Sequence, residues 1–366
     1  MRDFLLATLL AAGPTVTPAH AAALHMGADL SFTNEMEDCG AIFKEHGKKI
    51  DPFTLIKAHG GNIVRVRLWN DPRWTRYSTY PDVLKTIRRA HAAGLQVLLD
   101  FHYSDDWADG DHQAPPAAWA GMSTDRQARA LHDFTRDILD RLAAEKQLPA
   151  FVQVGNETNR EMLSGGKDPA QTDWARNAAL INAGIAAVHE AAKAHGATIK
   201  TMLHVAQPEN VMGWFDNATA AGVLDYDIIG ISYYSKWSKY NLSGLGKVID
   251  AAHRRYGADV WVVETAYPFT TGFADDSVNL LGADSALPGY PVSPEGQARY
   301  LEDLTRTVVA NGGNGVVYWA PDWVSTPCKT RWGTGSSWEN ATWFTIREHE
   351  AVPALRWMSV DYSAGK

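Results

Sequence analysis

Two glutamates have the type and the surroundings needed for acid–base chemistry. Glu157 ends the apolar run Phe151–Glu157, and Glu264 ends the apolar run Val260–Glu264. A carboxylate at the mouth of a buried strand costs desolvation free energy unless it is paired or used. Two such groups that face each other can cleave a glycosidic bond: one protonates the leaving oxygen, and the other attacks the anomeric carbon. Either glutamate alone could equally well form a structural ion pair with an arginine such as Arg65.

The elements that must position these carboxylates are short apolar strands that alternate with helices. Several of the strands are nearly continuous in Val, Ile and Leu, which is typical of a parallel sheet buried on both faces. Eight strands are predicted, namely Leu24–Leu30, Asn62–Trp69, Gln96–His102, Ala150–Asn156, Ile199–Val205, Asp227–Tyr233, Asp259–Glu264 and Asn314–Trp319. Helical spacing of apolar residues predicts the helices Pro81–Ala93, Thr124–Ala144, Asp173–His195 and Glu295–Ala310.

This alternation predicts an α/β fold, a (β/α)8 TIM barrel in a single domain. Strands alternating with helices form right-handed β–α–β units. Eight such units favour a closed barrel over an open sheet, and no G-x-G-x-x-G follows the first strand to indicate dinucleotide binding. Functional groups of such barrels lie at the C-terminal ends of the strands. The residues predicted there are Asp29, Arg65, Arg67, His102, Asn156, Glu157, His204, Tyr233, Tyr234, Glu264 and Trp319.

The composition limits the class of protein. The chain has 366 residues, of which 45% are hydrophobic, so it can bury a large core and is too apolar for a disordered protein. A formal net charge of −8 argues against a nucleic-acid partner. The 14 tryptophans are typical either of core packing or of platforms for sugar rings.

The N-terminus has the features of a signal peptide. Arg2 supplies a positive residue, Phe4–Ala12 is a short apolar run, and Ala19–Ala21 is a candidate cleavage site. A disordered leader or a membrane anchor is the alternative, but the run is too short to span a bilayer. We therefore expect a signal peptide over residues 1–22, a catalytic domain over 23–366, and a secreted or periplasmic protein with no membrane partner.

The two cysteines, Cys39 and Cys328, are far apart in the sequence. A closed barrel would bring them together, because its first and last strands are neighbours. In an exported protein two thiols can pair. A disulfide and two unpaired thiols remain equally open at this point.

The chain resembles glycoside hydrolase family 53, the endo-β-1,4-galactanases, within clan A of the retaining glycosidases. An Asn-Glu pair after the fourth strand and a second glutamate after the seventh are the pattern of the clan. The segments that carry the narrower resemblance span nearly the whole mature chain. They are Gly27–Ser31, Val64–Pro72, Leu99–Asp109, Gln153–Glu157, Gly230–Tyr234, Glu264–Pro268, Trp332-Gly333 and Ser336–Asn340.

The resemblance implies a role for each matched residue. Glu157 corresponds to the general acid/base and Glu264 to the nucleophile. Asn156 would hold the sugar 2-hydroxyl, and Arg65 would keep the nucleophile ionised, because a nearby cation lowers the pKa of a carboxylate. The remaining implied residues line the subsite at the cleaved bond or stack on sugar rings, and they are Asp29, Trp69, His102, Trp107, Tyr234, Trp237, Trp319 and Trp323.

The chain differs from part of the family in one loop. Some members bind calcium after the seventh strand, whereas Gly272–Asn279 here offers few oxygen ligands beyond Asp275 and Asp276, and calcium usually takes six or more. We therefore expect no metal and no cofactor, and a solvated loop at these two aspartates. The expected partner is β-1,4-galactan, bound by a monomer. The rivals are another clan A endoglycanase acting on mannan, xylan or cellulose, and a non-catalytic carbohydrate-binding barrel.

Overall fold

Eight parallel strands form the centre of the molecule. The computed structural model describes residues 23–165 and 172–363, and the predicted signal peptide lies outside these residues. The strands are β1 (His25–Asp29), β2 (Ile63–Leu68), β3 (Gln96–Phe101), β4 (Phe151–Val154), β5 (Lys200–Ala206), β6 (Ile228–Ser232), β7 (Asp259–Glu264) and β8 (Gly315–Tyr318). They pair in chain order, and β1 also pairs with β8, so the sheet closes into a barrel. The predicted (β/α)8 fold is confirmed.

Each predicted strand is present, with small differences at the ends. The largest difference is in β4, which ends at Val154 rather than at Asn156. Gly155 has a φ of 85°, outside the range of a strand, and Glu157 has a φ of 42°. The chain therefore turns sharply just before the first of the two glutamates, and apolar character alone does not show this turn.

Helices surround the barrel, and the described residues contain eight α-helices. The helices are α1 (Thr33–Asp38), α2 (Pro52–Ala58), α3 (Tyr80–Ala92), α4 (Thr124–Ala144), α5 (Trp174–Ala194), α6 (Pro208–Ala220), α7 (Leu242–Tyr256) and α8 (Pro294–Ala310). A 3-10 segment over Pro353–Ser359 packs against α8, after β8. None of the helices within these residues is long and apolar enough to cross a membrane.

A layer of side chains fills the interior of the barrel at the N-terminal end of the strands. Every strand except β1 contributes to it, and β7 contributes two residues. The layer comprises Ile63, Leu98, Phe151, Met202, Ile228, Trp261, Val263 and Val317. Trp261 is the largest of them, and its ring lies where a side chain at Gly315 would stand: a Cβ there would come within 2.3 Å of the indole. The barrel is therefore a packed core that supports a site at its other end.

The structure joins Cys39 and Cys328 in a disulfide, which resolves the question left open by the sequence. Cys39 directly follows α1, and Cys328 lies in the loop after β8. Their α-carbons are 5.6 Å apart, a normal separation for a disulfide. The bond links the loops beyond the first and last strands, on the same face as the two glutamates.

We predict that Gly315→Ala destabilises the protein, because the new methyl group must displace the buried Trp261 ring. Overpacking of this kind costs about 1–3 kcal/mol in the free energy of unfolding, measurable by denaturant titration. Gly213→Ala is the matched control. Gly213 is exposed within α6 with no atom near its Cβ position, so alanine should stabilise the helix by about 0.5–1 kcal/mol. Equal stability of the two variants would contradict the packing described here.

Candidate active site

A cleft of about 750 Å³ opens at the C-terminal ends of the barrel strands. Strand ends supply its floor, and the loops after β3, β6 and β8 supply its walls. The predicted residues that line it are Asp29, Arg65, His102, Trp107, Asn156, Glu157, Tyr234, Trp237, Glu264, Trp319 and Trp323. The structure therefore brings together residues that are more than two hundred positions apart in the sequence.

Arg65 lies at the centre of the floor and is fully buried. Its Nη1 donates to Asp29 Oδ2 at 2.9 Å and to Glu264 Oε1 at 2.8 Å. Its Nη2 donates to Asp100 Oδ2 at 2.9 Å, and the same nitrogen reaches the amide oxygen of Asn156 at 2.7 Å. A buried charge is tolerated when it is paired and hydrogen-bonded in this way. The guanidinium thus fixes the carboxyl groups of three different strands relative to one another.

Glu264 receives donors on both carboxylate oxygens. Arg65 contacts Oε1, and the hydroxyl of Tyr234 donates to Oε2 at 3.0 Å. Burial raises the pKa of Glu264 to about 8, and Arg65 is the largest influence that lowers it. Arg65 therefore lowers the pKa of Glu264, as predicted, but the increase that burial causes is larger.

Glu157 stands opposite and has a different environment. The hydroxyl of Ser232 donates to its Oε1 at 2.5 Å, and the backbone N–H of Gly110 donates to its Oε2 at 3.2 Å. Burial raises the pKa of the Glu157 carboxyl, with Asp109 acting in the same direction and Ser232 in the opposite one. Burial and the charge of Asp109, which raise the pKa, suit a group that must hold a proton near neutral pH.

The two carboxyl groups are close enough to act on one bond. One carboxylate oxygen of Glu157 and one of Glu264 lie within 4.8 Å of each other. Retaining glycosidases place their carboxyl groups about 5–5.5 Å apart, and inverting enzymes place them roughly 6.5–9.5 Å apart. The negative charge of Glu157 adds to burial in raising the pKa of Glu264. The contact with Arg65 favours the ionised form of Glu264.

His102 and Asn156 are held rigidly beside the carboxyl pair. His102 Nε2 lies 2.9 Å from Asp100 Oδ2, and His102 Nδ1 accepts from the backbone N–H of Ala108 at 3.2 Å. Burial lowers the pKa of His102, so the ring is neutral with its proton on Nε2. Asn156 accepts from Arg65 and donates to the carbonyl of Ala108 at 2.8 Å. Both side chains are therefore oriented before any substrate arrives.

Tryptophans form the walls of the cleft. Trp319 packs edge-on against Trp338, with ring centroids 4.7 Å apart. Trp107 lies across the guanidinium of Arg67 at 4.2 Å. Trp237 is the most open of the predicted platforms, with 45% of its surface exposed. Flat apolar rings that face solvent in a cleft are suited to stacking against sugar rings.

The prediction that Trp69 is a substrate platform is wrong. Trp69 is 2% exposed and does not line the cleft. Its ring packs against Trp107 at 5.6 Å and Trp74 at 5.0 Å, and Arg67 lies over its face at 4.4 Å. Trp69 follows β2, so it has the same position in the sequence pattern as a site residue, but the loops after β2 and β3 cover it. Its role is to support Trp107 from behind.

Sequence reasoning missed several residues of the cleft. Arg67 lies near the end of a predicted strand and has no predicted role, although it lines the cleft and its guanidinium lies among three aromatic rings. Asp109, Trp332, Ser337 and Trp338 belong to segments that carry the family resemblance, which is the one available signal for them. The other residues without a predicted role lie at the end of β5, in loops and on helix α6, and they are Gly110, Asp111, His112, Asn159, Ala206, Gln207, Asn210 and Leu280.

One set of side chains has the geometry of a metal site. Ligand atoms of Glu157, His204 and Glu264 lie within 4.8 Å of one another. Arg65 already places a positive charge against Glu264, and a metal ion there would have to approach this cation. The site is therefore poorly suited to a metal.

Hydrogen bonds also hold the loop Gly272–Asn279, which was compared above with the calcium-binding loop of similar proteins. Asp275 accepts backbone bonds from Ser277 at 2.7 Å and from Ser336 at 2.9 Å. Asp275 is still partly exposed, and Asp276 is exposed. The carboxylate of Asp275 fastens the loop after β7 to the loop after β8.

Comparison with known proteins gives consistent matches over nearly the whole chain. The family model described as glycosyl hydrolase family 53 matches residues 25–358. The chain is 47% identical, over 98% of its length and 96% of the relative's, to an arabinogalactan endo-β-1,4-galactanase of Cellvibrio japonicus. It is 35% identical, over 90% of its length and 79% of the relative's, to an endo-β-1,4-galactanase of Bacillus subtilis.

Solved structures agree with these sequence matches. The family 53 catalytic domain of Ignisphaera aggregans superposes with a TM-score of 0.84 at 30% identity, covering 93% of this chain and 97% of that one. A fungal β-1,4-galactanase superposes with a TM-score of 0.80 at 27% identity, covering 93% of this chain and all of the other.

We predict that Tyr234→Phe raises the pKa of Glu264 by about one unit. The lost hydroxyl donates to the ionised carboxylate, and a hydrogen bond to a charged group is worth about 1.5–3 kcal/mol, or roughly one to two pKa units. The measurement is a ¹³C NMR titration of labelled glutamate. Tyr233→Phe is the control, because its hydroxyl donates to the backbone carbonyl of Tyr240 instead. An unchanged Glu264 titration in Tyr234→Phe would show that this hydrogen bond does not form.

Proposed function

The chain belongs to glycosyl hydrolase family 53, and from this membership and the geometry of the cleft we propose that it is an endo-β-1,4-galactanase. Its substrate is the β-1,4-galactan of pectin side chains (type I arabinogalactan), and it cleaves with retention of configuration. The observation that carries the proposal is the carboxyl pair at the ends of β4 and β7, with one oxygen of each within 4.8 Å and Arg65 directed at Glu264.

In the first step Glu264 is the nucleophile. Its carboxylate attacks the anomeric carbon while the bond from that carbon to the leaving oxygen breaks. Glu157 gives its proton to the leaving oxygen, and a covalent glycosyl-enzyme remains on Glu264. Arg65 and Tyr234 support the reaction because they hold the two oxygens of the nucleophile in place.

In the second step Glu157 acts as a base. Its carboxylate removes a proton from water, the water attacks the anomeric carbon, and the bond to Glu264 breaks. Two inversions give net retention, and both carboxyl groups return to their starting protonation states. The raised pKa of Glu157 suits this double role, because the same group must be an acid in one step and a base in the next.

The other predicted residues position the sugar. Asn156 has one amide hydrogen committed to the carbonyl of Ala108, so the second can reach the sugar 2-hydroxyl. Asp29 and His102 line the floor beside the cleaved bond, and Trp319 lies on the wall next to it. Trp107, Trp237 and Trp323 supply further aromatic surface along the cleft. An open cleft of this kind fits an enzyme that cuts within a chain.

We also propose that the protein works outside the cytoplasm, as a monomer built from one catalytic domain. The disulfide between Cys39 and Cys328 supports this location, because disulfides persist in oxidising compartments. The proposed partner is the polysaccharide alone, with no nucleic acid and no membrane.

The substrate proposal predicts a clear order of turnover. Galactose differs from glucose in its axial 4-hydroxyl, so a β-1,4-galactan chain bends where cellulose runs straight. Reducing-sugar release from linear β-1,4-galactan should exceed release from mannan, xylan and cellulose by at least about 100-fold, which corresponds to about 2.7 kcal/mol of transition-state discrimination. Comparable turnover of another polymer would replace galactanase with a different clan A endoglycanase and leave the mechanism standing.

The assignment of roles predicts two different azide products. Glu157→Ala should retain activity on a dinitrophenyl glycoside, which needs little protonation, and azide should then yield a β-glycosyl azide. Glu264→Ala cannot form the glycosyl-enzyme, so azide should attack directly and yield the α product. NMR of the products distinguishes the two configurations. If the configurations are exchanged between the two variants, the roles of Glu157 and Glu264 are reversed.

A further inference from the structure

Glu157 takes part in a closed ring of hydrogen bonds with two residues that the proposed mechanism does not use. Its backbone N–H donates to His204 Nδ1 at 3.2 Å. His204 Nε2 lies 2.8 Å from Ser232 Oγ, and Ser232 Oγ donates back to Glu157 Oε1 at 2.5 Å. His204 lies on β5, Ser232 is the last residue of β6, and both are completely buried. The ring therefore joins the backbone of Glu157 to its own carboxyl group through two neighbouring strands.

The direction of each hydrogen bond in the ring follows from the backbone. A backbone N–H is always a donor, so Nδ1 of His204 must accept from Glu157. Burial lowers the pKa of His204 well below its usual value, so the ring is neutral and its one proton is on Nε2. Nε2 then donates to Ser232, and the single hydroxyl hydrogen of Ser232 is left for Glu157 Oε1. The amide oxygen of Asn156 lies 3.0 Å from Nδ1 but already accepts from Arg65.

The ring also holds an unusual backbone conformation. Glu157 has a φ of 42°, in the left-handed region that is unfavourable for a residue with a side chain. Thr158 adds two bonds to the carbonyl of His204, from its N–H at 2.8 Å and from its hydroxyl at 3.1 Å. The end of β5 thus keeps the turn after β4 in the one conformation that points the Glu157 carboxyl into the cleft.

Ser232 lies at an irregularity in the barrel. The pairing of β6 with β7 shifts between Ile231 and Ser232, so that Ser232 lies beside Glu264 in the register. Ser232 is therefore next to one glutamate along the sheet and hydrogen-bonded to the other through its hydroxyl. Neither alternation of apolar residues nor the strand end itself indicates this shift.

We propose that His204 and Ser232 are positioning residues that determine which oxygen of Glu157 carries the catalytic proton. Oε1 accepts the short bond from the Ser232 hydroxyl at 2.5 Å, whereas Oε2 accepts only the longer bond from the Gly110 N–H at 3.2 Å. The proton therefore resides on Oε2, which keeps a lone pair for it. This inference rests on the proposed role of Glu157 as the general acid. The ring of hydrogen bonds has a second effect. A donor to the Glu157 carboxylate favours its ionised form, so the Ser232 hydroxyl partly offsets the increase in the Glu157 pKa that burial causes.

Several other groups act on the same two side chains and stay unchanged in the test. The titratable and charged residues that face Glu157 or His204 are Arg65 from β2, Asp100 from β3, His102 and Asp109 after β3, Tyr234 after β6 and Glu264 from β7.

The test is Ser232→Ala, which removes the hydroxyl and adds nothing. Loss of the donor destabilises the carboxylate, so the pKa of Glu157 should rise by about one unit. Activity falls as pH rises through this pKa, so the alkaline limb of kcat/KM should move to higher pH by the same amount. Without the Ser232 donor the Glu157 proton is no longer confined to Oε2, so turnover of β-1,4-galactan should fall about 10-fold even though more of the group is protonated near neutral pH. Turnover of a dinitrophenyl galactoside should change less than about twofold, because that substrate needs little protonation.

A matched control separates this effect from the loss of any buried hydroxyl. Thr201→Val removes a completely buried hydroxyl from the other end of β5, where it bonds to Asp227. It should leave the pH profile and the ratio of the two substrates unchanged. A second variant, His204→Asn, keeps an acceptor near the Glu157 N–H but removes the donor that orients the Ser232 hydroxyl, so it should move the alkaline limb in the same direction as Ser232→Ala by a smaller amount.

The sign of the shift decides between the two directions of the ring. If the His204 proton were on Nδ1, Ser232 would accept from a protonated Glu157, and Ser232→Ala would lower the Glu157 pKa. A downward shift or no shift therefore overturns the proposal. NMR titration of labelled glutamate gives the same answer without turnover. If the wild-type protein failed to cleave galactan, the substrate proposal would fall. The titration would still decide the direction of the hydrogen bonds in the ring.

Discussion

The guanidinium of Arg65 is a buried cation, and much of the catalytic face is arranged around compensating it. Desolvating a charge costs several kcal/mol, which is recovered only if its donors are all well paired. Its partners are the carboxyl groups of Asp29, Asp100 and Glu264 and the amide oxygens of Gln153 and Asn156. These acceptors come from β1, β3, β7 and the end of β4. A closed barrel is the architecture that can bring them to one point, because it curves all of the strands around a common axis.

The same compensation distinguishes the two glutamates. Both lose water on folding, and burial raises the pKa of each. Arg65 forms an ion pair with Glu264, whereas the Glu157 carboxyl accepts hydrogen bonds from the hydroxyl of Ser232 and the backbone N–H of Gly110. Chemically identical side chains thereby acquire different preferences for the proton. A mechanism that needs one acid and one nucleophile needs this asymmetry more than it needs either pKa by itself.

The sequence was sufficient for the barrel and for the residues at its strand ends, because both follow from local patterns. Alternating strands and helices predict the fold, and a carboxylate that ends an apolar run has to be paired or used. Trp69 shows the limit of this reasoning. It directly follows a strand, as several site residues do, yet the loops after β2 and β3 cover it. Ser232 shows the converse. Its importance depends on contacts with His204 and Glu157 from other strands, which no local pattern reveals. Helices α1, α2, α6 and α7 are not among the helices that apolar spacing predicts. Helix α7 contains two glycines in its first turns, and its stability depends on packing against the barrel.

The bond between Cys39 and Cys328 makes nearly the whole barrel a covalent ring. Its ends are 289 positions apart in the sequence, so every barrel strand from β2 to β8 lies inside the ring. A protease that cuts one exposed loop within it opens the ring but releases no fragment, and the nicked molecule remains a single covalent species. Strands on both sides of the cut stay at a high effective concentration and can return to the barrel. A single cleavage within the ring thus leaves the two pieces covalently joined, and release of a fragment requires a second cut or reduction of the disulfide.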